Sequence, residues 1–278
     1  MANVILDGRR SHYHDGGAAW KAGQPWVTLV HGAGCTHVAW QSQSRALAHA
    51  GYNVLVPDLP GHGASEDDPA IRTVEDYAAW LRRLIHTVCG SAAQPPTRLA
   101  LVGHSLGACI ALSYASEWPA EVIGLGLVGA TLEMKVNPAL LKDCLEDHPR
   151  AVDFVTSYGH GRTTHLSSVT APGAWVLGAD RALLLASQPS VLQRDFAVCA
   201  AWRGVAHASK VTCATLIVSG ALDRLTPAKG GRQLADKVRG ARYEVLPGVG
   251  HMLPAEAPRA LLKLLLNFFA GLPQARAA

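Results

Sequence analysis

The sequence predicts an α/β protein: a mostly parallel sheet flanked by helices, with a block of helices inserted late in the chain. Three observations carry this. Short apolar runs of strand length alternate with segments whose apolar residues recur at helical spacing, as in a parallel sheet with crossover helices. That alternation stops near Thr131 and resumes near Ala214, and the stretch between holds helical patterns and no convincing strand. The chain has 278 residues, 49% hydrophobic and 17% charged, which is long for one compact domain and short for two. We therefore expect a core domain over residues 1–130 and 211–278 and a helical cap over 131–210.

Residues 2–15 read as two short strands around Asp7-Gly8. Trp26-Val27-Thr28-Leu29-Val30 is a buried strand, followed by His31-Gly32-Ala33-Gly34 and a helix from about Val38 to Ala50. Asn53 to Pro57 is the next strand, and Asp58-Leu59-Pro60-Gly61-His62-Gly63-Ala64-Ser65 a loop. Val74 to Cys89 has helical spacing, with Thr73 as N-cap and Gly90 as stop. Arg98 to Val102 is a strand, Leu106 to Ala115 a small-residue helix ended by Pro119, and Val122 to Val128 a strand. Within the insertion, Pro138, Pro149 and Pro189 sit where helices begin. Ala214 to Ser219 and Ala241 to Leu246 complete eight strands. Between them, Thr226-Pro227 reads as N-cap plus first helical residue of a helix to about Val238. A last helix starts at Ala257 or Pro258, and the tail from Gly271 to Ala278 is expected to fray.

Gly103-His104-Ser105-Leu106-Gly107 lies between a predicted strand and a predicted helix. A G-x-S-x-G stretch in that context is a sharp turn that lifts the serine hydroxyl clear of the sheet, and its glycines remove side chains that would collide. A serine hydroxyl is a weak nucleophile at neutral pH, so it needs a base, and the base needs a group to hold its tautomer. Asp223 and His251 follow the last two strands, in the chain order Ser, Asp, His, and segments leaving the carboxyl ends of parallel strands converge on one edge. We therefore expect Ser105, His251 and Asp223 to form a triad. The oxyanion donors expected with it are the backbone amides of Leu106 and Ala33.

The remaining histidines receive structural readings. His31 is expected to orient the oxyanion loop, His62 to sit in a turn, and His104 to pack. His160 and His165 fall in a polar loop, Tyr158 to Ser168, with no carboxylate nearby in sequence, so no metal site is expected there. Tyr158, Trp175 and Met252 are candidate substrate contacts. Trp202 is another, and for Tyr158, Trp175 and Trp202 helix packing is at least an equal alternative.

Composition narrows the function classes. The net charge of +4 comes from scattered Lys and Arg with no basic run, which argues against a nucleic-acid surface. Six cysteines lie far apart with no zinc spacing, and reduced thiols in a cytoplasm are the simplest expectation. The N-terminus lacks the features of a signal peptide, and the apolar run Ala260 to Ala270 is too short to span a bilayer. No cofactor or metal is expected. The sequence does not speak to oligomeric state.

With these residues in place, the chain resembles the α/β-hydrolase superfamily over nearly its full length. The matching stretches are His31-Gly32-Ala33-Gly34, Asp58-Leu59-Pro60-Gly61-His62-Gly63, Gly103-His104-Ser105-Leu106-Gly107, Gly220-Ala221-Leu222-Asp223 with Thr226-Pro227, and Gly250-His251-Met252-Leu253. The resemblance implies the α/β-hydrolase fold, a Ser-His-Asp triad and a small-molecule ester substrate. Dehalogenases and epoxide hydrolases of the fold use an aspartate nucleophile, which Ser105 disfavours. Gly32-Ala33-Gly34 with Trp40 is similar to the methylesterase and hydroxynitrile lyase group. The lyases' lysine and threonine correspond here to Met252 and Gly32, which favours ester hydrolysis. Some members carry the acid after the sixth strand, which makes Glu133 a runner-up to Asp223. Thioester, lactone or carbon–carbon hydrolysis or perhydrolysis on the same triad is the second reading. A ligand receptor or scaffold with incidental turnover is the third.

Overall fold

The β-branched and leucine-rich runs become the strands of one sheet in the computed structural model, which describes residues 2–90, 99–166 and 175–273. The strands are β1 (Ala2–Leu6), β2 (Arg9–His14), β3 (Trp26–Val30), β4 (Asn53–Pro57), β5 (Leu99–His104), β6 (Val122–Val128), β7 (Ala214–Gly220) and β8 (Arg242–Leu246). Their spatial order is β1-β2-β4-β3-β5-β6-β7-β8. The pairings β1–β2 and β2–β4 are antiparallel, and every pairing from β4 to β8 is parallel. This is the eight-stranded, mostly parallel architecture expected from sequence.

The helices are α1 (Gln41–His49), α2 (Val74–Gly90), α3 (Leu106–Glu117), α4 (Pro138–Glu146), α5 (His148–Gly159), α6 (Arg162–His165), α7 (Val176–Leu185), α8 (Pro189–Ala201), α9 (Val205–Ala208), α10 (Ala228–Ala235), α11 (Leu253–Glu256) and α12 (Pro258–Ala270). Several of their starts are chemically marked. Thr73 Oγ1 accepts from Asp76 N at 3.1 Å while Asp76 returns a bond to Thr73 N, a reciprocal cap for α2. Asn137 and Asp147 cap α4 and α5, with Pro138 and Pro149 in the first turns. Thr226 does not cap α10; that place is taken by Pro227, and the threonine hydroxyl turns elsewhere.

Strand alternation sends side chains to both faces of the sheet. Leu99 and Leu101 of β5 join one buried cluster with α2 and α3, while Ala100 and Val102 join the other with α12. Helix α3 is buried from Leu106 to Ser116, which explains its small apolar composition. Helices α4 to α9 all lie between β6 and β7 in sequence. Their apolar residues, among them Leu140, Val152, Leu184 and Leu192, form a third cluster that closes on Cys35 and Met252 of the loops at the sheet's carboxyl edge.

Tyr158 and Gly159 belong to α5 rather than to a polar loop, because Phe154 and Tyr158 stack along that helix at 4.4 Å. Leu272, at the start of the expected frayed tail, packs against Gly124 of β6. Arg98, Ser168 and residues 274–278 lie outside the described residues.

Candidate active site

Ser105 stands between β5 and α3 with φ 54° and ψ −118°, the left-handed side of backbone space for a residue with a Cβ. Such a conformation costs on the order of 1–3 kcal/mol and persists only where neighbours enforce it. Here Ser105 N donates to Val128 O of β6 at 2.9 Å, and Ser105 O accepts from Ala108 N at 2.9 Å. A Cβ on Gly103 would overlap the Gly107 carbonyl, and one on Gly107 the Val30 carbonyl. Both glycines are therefore steric requirements of the turn.

The parallel register brings the other candidates to the same edge. Val30 pairs with Gly103, His104 with Val128, Val128 with Val218, and Gly220 with Leu246. Asp223 follows β7 and His251 follows β8. His251 Nδ1 lies 2.8 Å from Asp223 Oδ2 and 3.0 Å from Thr226 Oγ1. Asp223 also accepts from Leu225 N, Thr226 N and the Thr226 hydroxyl at 2.9, 2.7 and 2.7 Å. Burial alone would raise this carboxyl, but the His251 ring and the Thr226 donors outweigh it and hold it below the ordinary carboxylate range. An ionised Asp223 accepts a hydrogen bond from Nδ1–H of His251, which keeps the proton on Nδ1 and leaves Nε2 as the basic nitrogen. Glu133, the runner-up acid, is exposed, and the carboxylate on the His251 ring is that of Asp223.

A cavity of about 200 Å³ opens at this edge. Gly32, Ala33, Ser105 and His251 line its floor, and Leu140, Phe154, Tyr158, Phe196 and Met252 are among its walls. Ser105 and His251 thus share one cavity, with Asp223 behind the imidazole. Tyr158 and Met252 lie where sequence suggested. Trp175 does not: it is 65% exposed, absent from the cavity walls, and folds over Gly178 in the first turn of its own helix. Trp202 is buried against His207 and also lies off the cavity.

The loop carrying Ala33 is built to a fixed shape. A Cβ on Gly32 would stand 3.2 Å from the Ser105 Cβ, so the loop packs directly on the serine turn. Leu106 is the first residue of α3, and its N–H has no acceptor within that helix. His31 Nδ1 donates to Gly32 O at 2.9 Å and His31 Nε2 accepts from Leu59 N at 3.1 Å. That pattern requires a neutral ring, and burial lowers its pKa to about 4. His104 donates Nε2–H to His251 O at 2.8 Å and is likewise kept neutral by burial, which lowers its pKa to about 3.

Sequence reading missed a buried carboxylate. Asp195 of α8 is fully buried and accepts from Gly34 N at 3.0 Å, His62 Nε2 at 2.8 Å and Tyr77 Oη at 2.7 Å. Burial opposes its ionisation, but His62 and these donors hold its pKa low, and Asp195 in turn raises that of His62. His62 is thus half of an ion pair joining α8 to the core and not a turn residue alone. A signal was available: Val191, Asp195 and Val198 share one helical face, and the valines are buried. His160 similarly finds Asp180 at 2.9 Å, a carboxylate 20 residues away in sequence.

Among the described residues one group has metal-ligand spacing: His12, His37 and Asp58, with potential ligand atoms within 4.8 Å of one another. It lies off the cavity, and its members already bond to one another or to Asn3. No helix among the described residues is long and apolar enough to cross a membrane.

Residues 23–258 match the family model described as serine aminopeptidase, S33. An uncharacterised protein of Mycobacterium tuberculosis is 35% identical over 106 residues, 38% of this chain but 29% of that protein, so the match spans under a third of that relative's length. A pyrrolizixenacetamide deacetylase from Xenorhabdus hominickii is 25% identical over 262 residues, 88% of this chain and 90% of its own. An enol-lactonase from Burkholderia xenovorans LB400 superposes with a TM-score of 0.85 at 21% identity, over 97% of this chain and 100% of that one. At that identity the likeness speaks to the fold.

Proposed function

The chain belongs to the serine aminopeptidase S33 family of α/β-hydrolases, and from that premise we propose that it is a cofactor-free serine hydrolase of small or medium carboxylic esters. The observation that carries the reading is the 2.8 Å contact between His251 Nδ1 and Asp223 beside the cavity that Ser105 and His251 line together. Ser105 Oγ attacks the ester carbonyl while His251 Nε2 takes its proton. The backbone amides of Ala33 and Leu106 receive the oxyanion, each worth a few kcal/mol at the transition state. The tetrahedral intermediate collapses, His251 returns the proton to the leaving alcohol, and an acyl-enzyme remains. Water then attacks through the same histidine, releasing the acid and restoring Ser105. Residues 131–210 act as the cap that selects the acyl group, over a core of 1–130 and 211–278.

An amino-terminal peptide substrate, which the family description would suggest, carries a free ammonium group. The cavity lining here holds Lys135 and Arg224 and, among the described residues, no carboxylate, which favours an ester without such a cation. The decisive test is p-nitrophenyl ester turnover by wild type and by Ser105→Ala. A loss of at least about 10³-fold is expected, together with a phosphonate adduct on Ser105; equal turnover by both proteins refutes the reading. A reducing cytoplasmic setting accords with six free thiols, which titration of the unreduced protein would count.

A further inference from the structure

The cavity is not electrically neutral. Its apolar walls end at two cations, Lys135 and Arg224, which come from separate segments: one between β6 and α4, the other between β7 and α10. Exposed cations are often no more than solvated surface, so the surroundings of these two matter. Arg82, Arg83, Arg181, Arg194 and Arg242 each pair with an Asp or Glu. Neither Arg224 nor Lys135 has a carboxylate partner among the described residues. Arg224 is nonetheless held in place. Its Nη2 donates to Ser157 O at 2.8 Å, and its guanidinium carbon lies 4.3 Å from the centre of the Tyr158 ring. Its neighbour Asp223 offers no partner, because both carboxylate oxygens are taken up by His251, Leu225 and Thr226. The result is a positioned guanidinium with donors to spare at the rim of a small apolar cavity.

A guanidinium presents a planar fork of N–H donors that matches a carboxylate, and a lysine beside it adds a mobile point charge. We propose that the ester taken by this site bears a carboxylate at the far end of its acyl chain. Its methylenes lie along Val136, Leu140, Phe154 and Phe196, and its anion is received by Arg224 and Lys135. This rests on the serine-hydrolase reading above and adds to it the charge of the substrate. The carboxylate stays at the rim, where it keeps part of its hydration, while the ester carbonyl sits at Ser105. An ion pair at an exposed rim contributes little alone, so two together give a preference on the order of tenfold over a neutral ester.

Mono-p-nitrophenyl adipate and its neutral methyl ester share leaving group and chain length and differ by one charge. Wild type is expected to favour the acid about tenfold in kcat/KM at low salt, chiefly through KM, and less so in about 0.5 M NaCl. The ratio of the two substrates is expected to fall toward one in the Lys135→Gln/Arg224→Gln double variant. Arg224→Lys keeps part of it, and Arg224→Glu inverts it. A wild-type ratio of one or below, or a ratio the double variant leaves intact, overturns the proposal. Calorimetry on Ser105→Ala with monomethyl adipate and dimethyl adipate decides the same question without turnover. Tighter binding of the anion that the double charge removal abolishes supports the site, and equal binding of both ligands refutes it. Ser105-dependent hydrolysis of both esters at equal rates refutes the charge preference alone. Absence of hydrolysis with intact anion binding refutes the hydrolase reading alone.

Discussion

Replacing Asp195 with alanine tests whether the buried ion pair between α8 and the core holds the Gly32–Gly34 loop, the proposed source of an oxyanion donor. The side chain is fully buried and satisfies three donors: His62 Nε2, Tyr77 Oη and Gly34 N, at 2.8, 2.7 and 3.0 Å. Three stranded buried donors at about 1–3 kcal/mol each set the scale. His62 can shed its proton once the carboxylate is gone, so the loss belongs near the lower end, about 3–5 kcal/mol, as for other broken buried pairs. For a protein of this size that is a fall in Tm of roughly 6–10 °C. Gly34 is the residue after Ala33, so kcat should fall about tenfold with little change in KM, less than the loss of a whole oxyanion donor. Thermal melting by circular dichroism with parallel ester kinetics measures both. A Tm within about 1 °C of wild type would refute the energetic argument. An unchanged kcat would refute the link to the loop.

The pair also predicts a pH window. Asp195 is held below the ordinary carboxylate value, so its contribution is complete above about pH 4 and is lost as pH falls through the lower folded value. His62 is raised, so its contribution is complete below about pH 6.5 and is lost as pH rises through the higher folded value. The difference in Tm between wild type and Asp195→Ala should therefore be widest between about pH 4 and 6.5 and narrow on either side.

Asp223→Asn should cut kcat by about 10⁴ with the fold intact, because an amide no longer fixes the Nδ1–H tautomer of His251; steady-state kinetics and an unchanged circular dichroism spectrum would check this. Gly34→Ala should destabilise the protein by about 1–3 kcal/mol, read by urea unfolding. Gly34 has φ +65°, and an added Cβ would stand 2.6 Å from Leu192 Cδ1.

The fold was legible because most strands are short apolar runs and several helix starts carry their own chemical mark: Thr73 with Asp76, Asn137 with Pro138, Asp147 with Pro149. The candidate triad was legible because a parallel sheet turns order along the chain into proximity at one edge. What escaped depends on tertiary distance or on side-chain direction. Asp195 meets His62 across 133 positions and Gly34 across 161. Periodicity could flag a buried charge on α8, but not its partners. Thr226 reads as a helix cap from its position before Pro227, yet its hydroxyl serves Asp223 and His251. Trp175 has the size and chemistry of a pocket wall, and only the direction of its backbone takes it into solvent. Arg224 carries no sequence signal next to Asp223, because a charge gains meaning only from the cavity it borders.

Four buried histidines cluster around the serine turn, and their surroundings give them different work. His31 and His104 have no carboxylate on the ring; each donates one N–H to a backbone carbonyl, and burial keeps both neutral across physiological pH. They can fix loops but cannot hold a proton taken from a nucleophile. His62 does have a carboxylate, but Asp195 binds its Nε2 and Pro60 O its Nδ1, so neither nitrogen is left for a substrate. His251 alone among the four combines a carboxylate on Nδ1 with a place on the cavity wall beside Ser105. A base for Ser105 must accept a proton on one side and have the resulting charge stabilised on the other. Of the four, the bonding pattern of His251 is the one that meets that requirement, which supports its proposed role as the base for Ser105.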